Sequence, residues 1–374
     1  MSFRSRLRTI LGPHLKKHAR TWRAVREVDS GIESVRHTLA HALPILIRPE
    51  PRRIQIAVTA LCNLRCIGCR YGRDFMRGAQ LPWPLVREIL DDAKAIGAWD
   101  VRLYGGEPLL HPDLSKMVSH SVSLGLETFV TTNGMLLEQK LPSLYDAGLR
   151  RITIGYYGTG DAYNAYVQRS KSFERLERGL AFLRERYGSE INVQINWLLS
   201  RPSCSPEALN AVLEVAERFD LRIQVDLVHY SLPYFSEGPD RELQFTAEDR
   251  PRVEAIARAL EAAASASPKR FTQSIVGIRS IPDRLLLGKD MRVPCDSHQM
   301  LWVGADGSVQ QCYVTFPLGN IHTTRLRDIV FTDAHRNAAK DSFQLNCPNC
   351  HCNYHQRVEK HRPSRDRYSI QSAQ

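Results

Sequence analysis

Ile54-Gln-Ile-Ala-Val-Thr-Ala-Leu-Cys62-Asn-Leu-Arg-Cys66-Ile-Gly-Cys69 is the stretch on which the fold turns. Its first six residues are apolar or β-branched apart from one Gln, the composition of a buried strand. Three cysteines follow on the segment just after that strand.

The same pattern repeats downstream. Strand-like runs are Ile54–Thr59, Val101–Tyr104, Thr128–Thr132, Arg151–Tyr156, Val193–Leu199 and Ile223–Val228. Helical periodicity fills the gaps over Leu85–Ile96, Phe173–Glu185 and Pro206–Arg218. Gly97 stands where the first of these helices should stop. Six β-α repeats predict an α/β fold with a parallel sheet and right-handed crossovers, either a partial barrel or an open sheet. Chemistry in such folds collects where strands end.

Three thiolates on one short loop can hold three irons of a cubane cluster and leave the fourth iron open. A structural zinc site is closed by four protein ligands, and no nearby His completes one here. Cys-x3-Cys-x2-Cys in the loop after the first strand resembles the signature of the radical S-adenosylmethionine (SAM) superfamily. The resemblance implies a partial (β/α)6 TIM-like barrel and a [4Fe–4S] cluster on Cys62, Cys66 and Cys69. It also implies SAM on the open iron and its reductive cleavage to a 5′-deoxyadenosyl radical. That family usually has an aromatic residue just before the third cysteine. Gly68 stands there instead, and the nearest aromatic is Tyr71.

Gly105-Gly106-Glu107-Pro108 follows the second strand, and two glycines there let backbone approach a ligand closely. By resemblance this segment receives the amino group of SAM. Thr131-Thr132-Asn133-Gly134 ends the third strand and is similar to the family's TNG turn. The resemblance also gives Thr153, Arg169 and Asn196 to the ribose and carboxylate of SAM. Alone, each motif reads equally well as an ordinary turn; their order along the chain is what carries the resemblance.

A second cysteine group lies far away. Cys295 and Cys312 bracket Leu301–Val303 and Ser308–Gln310, which flank the turn signal Ala305-Asp306-Gly307. Cys347-Pro-Asn-Cys350-His-Cys352 follows. The spacing resembles the SPASM/twitch extension of radical SAM enzymes. Five cysteines suffice for one auxiliary [4Fe–4S] cluster with one thiol to spare, the twitch-like form. The expected ligands are Cys295, Cys312, Cys347 and Cys350, with Cys352 as substitute, and zinc is the competing metal. The expected organisation is a basic helical extension over 1–50, the radical SAM core over 51–235 and a linker over 236–294 that holds one helix, 247–266, followed by an irregular stretch, 267–294. A small Cys-rich hairpin/helix module over 295–356 and a loose tail over 357–374 complete it.

Hydrogen abstraction from a small polar substrate of sugar or aminocyclitol type, followed by oxidation assisted by the auxiliary cluster, is the expected reaction. Tyr313 and Asp226 are the expected acid/base residues, with His229 and Tyr230 beside Asp226 in sequence. A radical epimerase using Cys204 as hydrogen donor, or a maturation enzyme for a ribosomal peptide, are the alternatives. A zinc-based scaffold or nucleic-acid-binding protein is the non-enzymatic one.

The net charge of +11 suits anionic partners, but 12 of the 51 Lys and Arg fall within the first 53 residues. Leu7, Ile10, Leu11, Val25, Val28 and Ile32 recur there at helical spacing. That segment reads either as a solvated helix covering the core or as a surface docking on a membrane or acidic partner. Nine cysteines in short-spaced groups, with no secretory signal and no apolar run long enough to span a bilayer, predict a cytoplasmic metal-binding protein. The expected partners are a small-molecule substrate and an electron donor such as flavodoxin or ferredoxin, with no nucleic acid.

Overall fold

A computed structural model of the chain describes residues 28, 31–71, 76–228, 242–312 and 315–370. Six strands pair in parallel: β1 (Arg53–Thr59), β2 (Asp100–Gly105), β3 (Glu127–Thr132), β4 (Arg151–Tyr156), β5 (Asn192–Leu199) and β6 (Arg222–Leu227). Between them run α1 (Trp83–Ala95), α2 (Leu114–Ser123), α3 (Leu137–Asp146), α4 (Gly160–Val167), α5 (Ser172–Tyr187) and α6 (Pro206–Arg218). The expected strands fall within a residue of those observed.

Each strand alternates. One set of side chains, such as Ile54, Val101, Ile152, Ile195 and Val225, is buried in the apolar core that also takes in the helices. The other set, with Gln55 paired to Arg102 and Asn196 paired to Gln224, is polar and turns to the interior of the curved sheet. Two-residue periodicity explains this segregation.

The sheet has nine strands in the order β6-β5-β4-β3-β2-β1-β7-β8-β9. The predicted hairpin is β7 (Met300–Val303) and β8 (Ser308–Cys312), continued by β9 (Thr315–Asn320). β7 joins β1 in parallel, with Ile54 opposite Leu301 and Ile56 opposite Val303. Hairpin signals are local, so they did not reveal this docking.

Helix α7 (Arg250–Ala266) matches the expected helix at its C-terminal end. Two segments differ from expectation. The stretch 267–294 is not wholly irregular: it holds α8 (Ile275–Arg279) and α9 (Ile281–Leu287). The tail is not loose through residue 369, because α10 (Leu326–Ile329), α11 (Asp333–Gln344) and α12 (Tyr354–Lys360) are followed by α13 (Arg362–Ser369). Tyr368 of α13 packs with Met291, Val293 and Val358 in a small separate core. Its apolar anchors are too sparse in sequence to register as a periodic pattern. Residues 31–39 are also helical, and no helix among the described residues is long and apolar enough to cross a membrane.

Candidate active site

The loop after β1 is fixed from two sides. The Arg65 and Ile67 amides donate to the carbonyls of Val167 and Tyr166 at 3.3 and 2.9 Å, and the Ala60 amide donates to Ala79 at 2.8 Å. Gly68 holds a φ of +79°, a conformation that glycine adopts without cost and that an aromatic residue would adopt only with strain. Aromatic surface comes from elsewhere: Tyr157 and Tyr166 stack with centroids 4.3 Å apart and line the cavity beside Cys69. Tyr71 lines the same cavity while packing with Trp302 and Ala305, and its hydroxyl accepts from the Ala305 amide at 3.3 Å.

None of Cys62, Cys66 and Cys69 is held in a disulfide. The Cys62 sulfur reaches solvent on one side, yet the surrounding protein pushes its thiol up to about 11, with Glu107 and Cys69 adding to the shift. Metal coordination is what supplies the thiolate in such a setting. The Leu64 amide and the Asn133 side chain donate to the Cys62 sulfur at 3.5 and 3.8 Å, the kind of N–H···S contacts that tune iron–sulfur clusters. Three thiols on one loop with these donors fit a cluster with one open iron. Among the described residues no three His, Cys, Asp or Glu side chains converge as a single ion would require; thiols that bind separate irons stand wider apart.

Gly105, at φ +140°, and Gly106 pass so close to the cluster loop that a Cβ on either would collide with the Thr59 or Leu61 carbonyl oxygen. Glu107 is buried with both oxygens occupied. Oε1 accepts from Thr132 Oγ1 at 2.6 Å and the Leu109 amide at 3.0 Å, and Oε2 from the Asn133 amide at 2.7 Å. Burial pushes its carboxyl up to about 7 against those three donors. The Glu107 side chain therefore positions the 132–133 turn and does not line the cavity. Asn133 in turn donates to Asn63 Oδ1 at 2.7 Å, and Arg169 Nη1 to the Asn63 carbonyl at 3.1 Å. Thr153 is buried below Gly155 on β4 and is not part of the cavity wall.

A cavity of about 400 Å³ runs from Cys69 and Gly105 across the barrel interior to all five C-terminal cysteines. Its β5–β6 wall carries a fixed carboxylate: Asp226 Oδ2 accepts from Asn196 Nδ2 at 2.8 Å and Oδ1 from Gln224 Nε2 at 2.7 Å. Its β1–β2 wall carries a fixed cation. Arg102 donates to Gln55 Oε1 at 3.1 Å and Thr131 Oγ1 at 2.9 Å, and its guanidinium lies 4.4 Å from the Tyr104 ring centre. Sequence reasoning missed Gln55, Arg102, Tyr104, Gln224 and Trp302. A polar residue at every second position of an otherwise apolar strand was the available signal.

Three cysteines of the C-terminal module, Cys295, Cys347 and Cys350, lie near a buried arginine. Arg357 donates to the carbonyls of Val293, Pro294 and Cys350 and to Asn349 Oδ1. Burial raises the Cys295 and Cys347 thiols, and the Arg357 charge opposes both shifts. The module also grips β6, where Tyr354 donates to the Val225 carbonyl at 3.3 Å and His351 Nδ1 meets that of Val228 at 2.9 Å.

Cys204 corrects an expectation. It is fully buried against α7, its sulfur 3.8 Å from the Arg252 carbonyl, and it does not line the cavity. The segment after β5 turns back over α7 because Arg252 donates to the Cys204 and Arg201 carbonyls. Tyr313, His229 and Tyr230 lie outside the described residues.

Comparison with known proteins agrees with this geometry. Residues 56–201 match the model of the radical SAM superfamily, and residues 295–353 match that of an iron–sulfur cluster-binding (SPASM) domain. Among curated proteins, the GTP 3′,8-cyclase of Chlorobaculum tepidum is 27% identical over 69% of this chain and 77% of its own length. The AdoMet-dependent heme synthase of Methanosarcina barkeri is 27% identical over 50% of the chain, which spans about half of that relative (51%). Among solved structures, anSMEcpe with bound AdoMet superposes with a TM-score of 0.61 at 16% identity, covering 85% of this chain and 93% of that one. Streptococcus suis SuiB bound to its precursor peptide SuiA gives 0.60 at 15%, covering 90% and 75%. At those identities the structures speak to the fold.

Proposed function

This chain belongs to the radical SAM superfamily and carries a SPASM-type iron–sulfur domain, and from that premise we propose that it oxidises a small polar substrate of sugar or aminocyclitol type. The observation that carries this reading is the single cavity shared by Cys69 and the C-terminal cysteines, with Asp226 and Arg102 on its walls. When bound, the first cluster and SAM supply a 5′-deoxyadenosyl radical, and an auxiliary cluster supplies a one-electron acceptor. Cys62, Cys66 and Cys69 hold the first cluster; Cys295, Cys312, Cys347 and Cys350 hold the auxiliary one, with Cys352 in reserve.

The chain's own part is to bind, orient and move a proton. Gly105 and Asn196 line the SAM side of the cavity, while Gly106, Asn133 and Arg169 pack against the cluster loop and hold it in place. Arg102, immobilised by Gln55 and Thr131, offers its cation to an electronegative substituent. Asp226, whose two oxygens accept from Asn196 and Gln224, stands on the cavity wall and takes the hydroxyl proton as an alcohol becomes a ketone. Tyr313, adjacent to Cys312 in sequence, is the second acid/base group. An external one-electron donor such as flavodoxin or ferredoxin completes the system.

A peptide substrate is the second reading, favoured because SuiB was solved with a precursor peptide; the GTP and heme chemistry in the curated relatives' names favours small molecules. The test is turnover of the reconstituted protein with SAM and reductant on a panel of sugars and aminocyclitols and, separately, on peptides. The expected result is 5′-deoxyadenosine with a carbohydrate product lighter by two hydrogens, and an Asp226→Asn variant that still transfers hydrogen to 5′-deoxyadenosine but forms little product. Turnover confined to peptides, or full product formation by Asp226→Asn, overturns the proposal.

A further inference from the structure

Helix 31–39 is amphipathic the wrong way round for a solvated helix. Its polar side faces the protein: Glu33 and His37 are 6% and 4% exposed, and Ala40 just beyond is 0% exposed. Glu33 is bonded to Arg36 at 2.8 Å, Arg52 at 3.1 Å and Gln299 at 3.1 Å, while His37 packs edge-on to Phe343 with centroids 5.0 Å apart. Its apolar side faces water: Ile32, Val35 and Leu39 are 47%, 60% and 51% exposed, and Leu43 and Ile45 follow at 55% and 65%. Val28 is 63% exposed. The spacing 32, 35, 39 makes one stripe along the described helix. Rotating the helix to bury it would break the Glu33 network, so the anchoring itself fixes the stripe outward.

The sequence leading into this stripe, residues 1–26, contains eight Lys and Arg and neither Asp nor Glu. Phe3, Leu7, Leu11 and Trp22 are interspersed among them. A cationic segment continuous with an outward apolar face is the composition of a surface that lies in a bilayer interface, with the basic residues meeting acidic headgroups. A second copy of the chain would bring an identical unbalanced charge against the first. An acidic bilayer complements both the charge and the stripe.

We propose that the exposed apolar side chains of residues 28–45 and the basic segment before them seat the protein on an anionic membrane surface. This is peripheral attachment, since no described helix can span a bilayer, and it does not depend on the proposed reaction.

The experiment is flotation of the full-length, reconstituted protein with vesicles of phosphatidylglycerol and phosphatidylcholine and, in parallel, of phosphatidylcholine alone. The mixed vesicles should bind at least about tenfold more tightly, and added salt should release the protein. A triple variant, Ile32→Asp with Val35→Asp and Leu39→Asp, should no longer float, and Leu43→Asp with Ile45→Asp, outside the helix, guards against loss of its fold. Both variants should keep wild-type iron content and circular dichroism. Sedimentation velocity without vesicles reads the competing occupants. A concentration-dependent dimer that the variants abolish would assign the stripe to self-association and overturn the proposal. Absence of flotation by the wild type, or equal flotation by wild type and both variants, would overturn it as well.

Discussion

Arg357→Met removes the guanidinium at the centre of the C-terminal module while keeping its bulk. Arg357 is 1% exposed and serves four acceptors: the Val293, Pro294 and Cys350 carbonyls and Asn349 Oδ1. At about 1.5 kcal/mol for each bond from a charged donor, these contacts outweigh the hydration of several kcal/mol that a buried cation gives up. The net loss comes to about 3 kcal/mol. The larger consequence is local: Asn349 and Cys350 lose the group that orders their loop, and Cys295 and Cys347 lose the positive charge that favours their thiolates. Iron and sulfide measured in a Cys62/Cys66/Cys69→Ala background, where only auxiliary iron remains, should fall well below the level with Arg357 intact. Arg357→Lys keeps the charge but not the planar fork, so it should recover part of the iron and little of the stability. Urea midpoints within about 0.5 kcal/mol of wild type, together with undiminished auxiliary iron, would refute the reasoning.

Three further outcomes are expected. Gly105→Ala forces a Cβ into the Thr59 carbonyl at a φ of +140°, costing about 3 kcal/mol or more and, with it, SAM-dependent 5′-deoxyadenosine formation; chromatography of quenched reactions reads this. Cys204→Ala should cost about 1–2 kcal/mol of stability and leave product formation per active site intact, because the thiol is buried away from the cavity; loss of product with continued SAM cleavage would restore Cys204 as hydrogen donor. Burial lowers the His335 imidazole from 6.5 to about 4, so the unfolded chain takes up a proton before the folded one does as pH falls. His335's share of the stability should therefore be fully present above about pH 7 and fall by about 3 kcal/mol between pH 6.5 and 4, and His335→Asn, which can still accept from the Phe331 amide, should make the slope in urea titrations shallower by that share while the other buried histidines, such as His37 and His298, keep theirs.

The α/β core was legible because parallel strands and their helices are written in local periodicity, and Arg151–Tyr156 and Pro206–Arg218 could be bounded to the residue. The cluster loop was legible because three cysteines at fixed spacing carry their chemistry with them. The roles of Glu107, Arg102 and Arg357 were not. Glu107 acts through a turn 25 residues away, Arg102 through Gln55 on the neighbouring strand and Arg357 through a segment 64 residues earlier. Such pairings exist only once the register of the sheet is set. Cys204 shows the converse: a position just past a strand end suggested the rim, and packing against α7 decided otherwise.

Why two cysteine groups so distant in sequence share one cavity follows from where the sheet is left open. β1 and β6 bound the six-stranded partial barrel, and neither pairs with the other. The free side of β1 is taken by β7. On the far side, the β6 backbone is met by residues 270–273, with Ile223 and Val225 exchanging hydrogen bonds with Arg270, Thr272 and Gln273, and by Tyr354 and His351 of the C-terminal module. The module is thus attached to both boundary strands and stretches over the gap between them. Unpaired strand edges are costly to leave open, so the contacts that satisfy them also carry Cys295, Cys347, Cys350 and Cys352 to the open side of the barrel, facing the polar interior where Asp226 stands. The separation of the two cysteine groups is therefore set by the width of the unclosed barrel. A change that shifts β7 along β1 must move the auxiliary cysteines relative to Cys62, Cys66 and Cys69, even though it touches neither group.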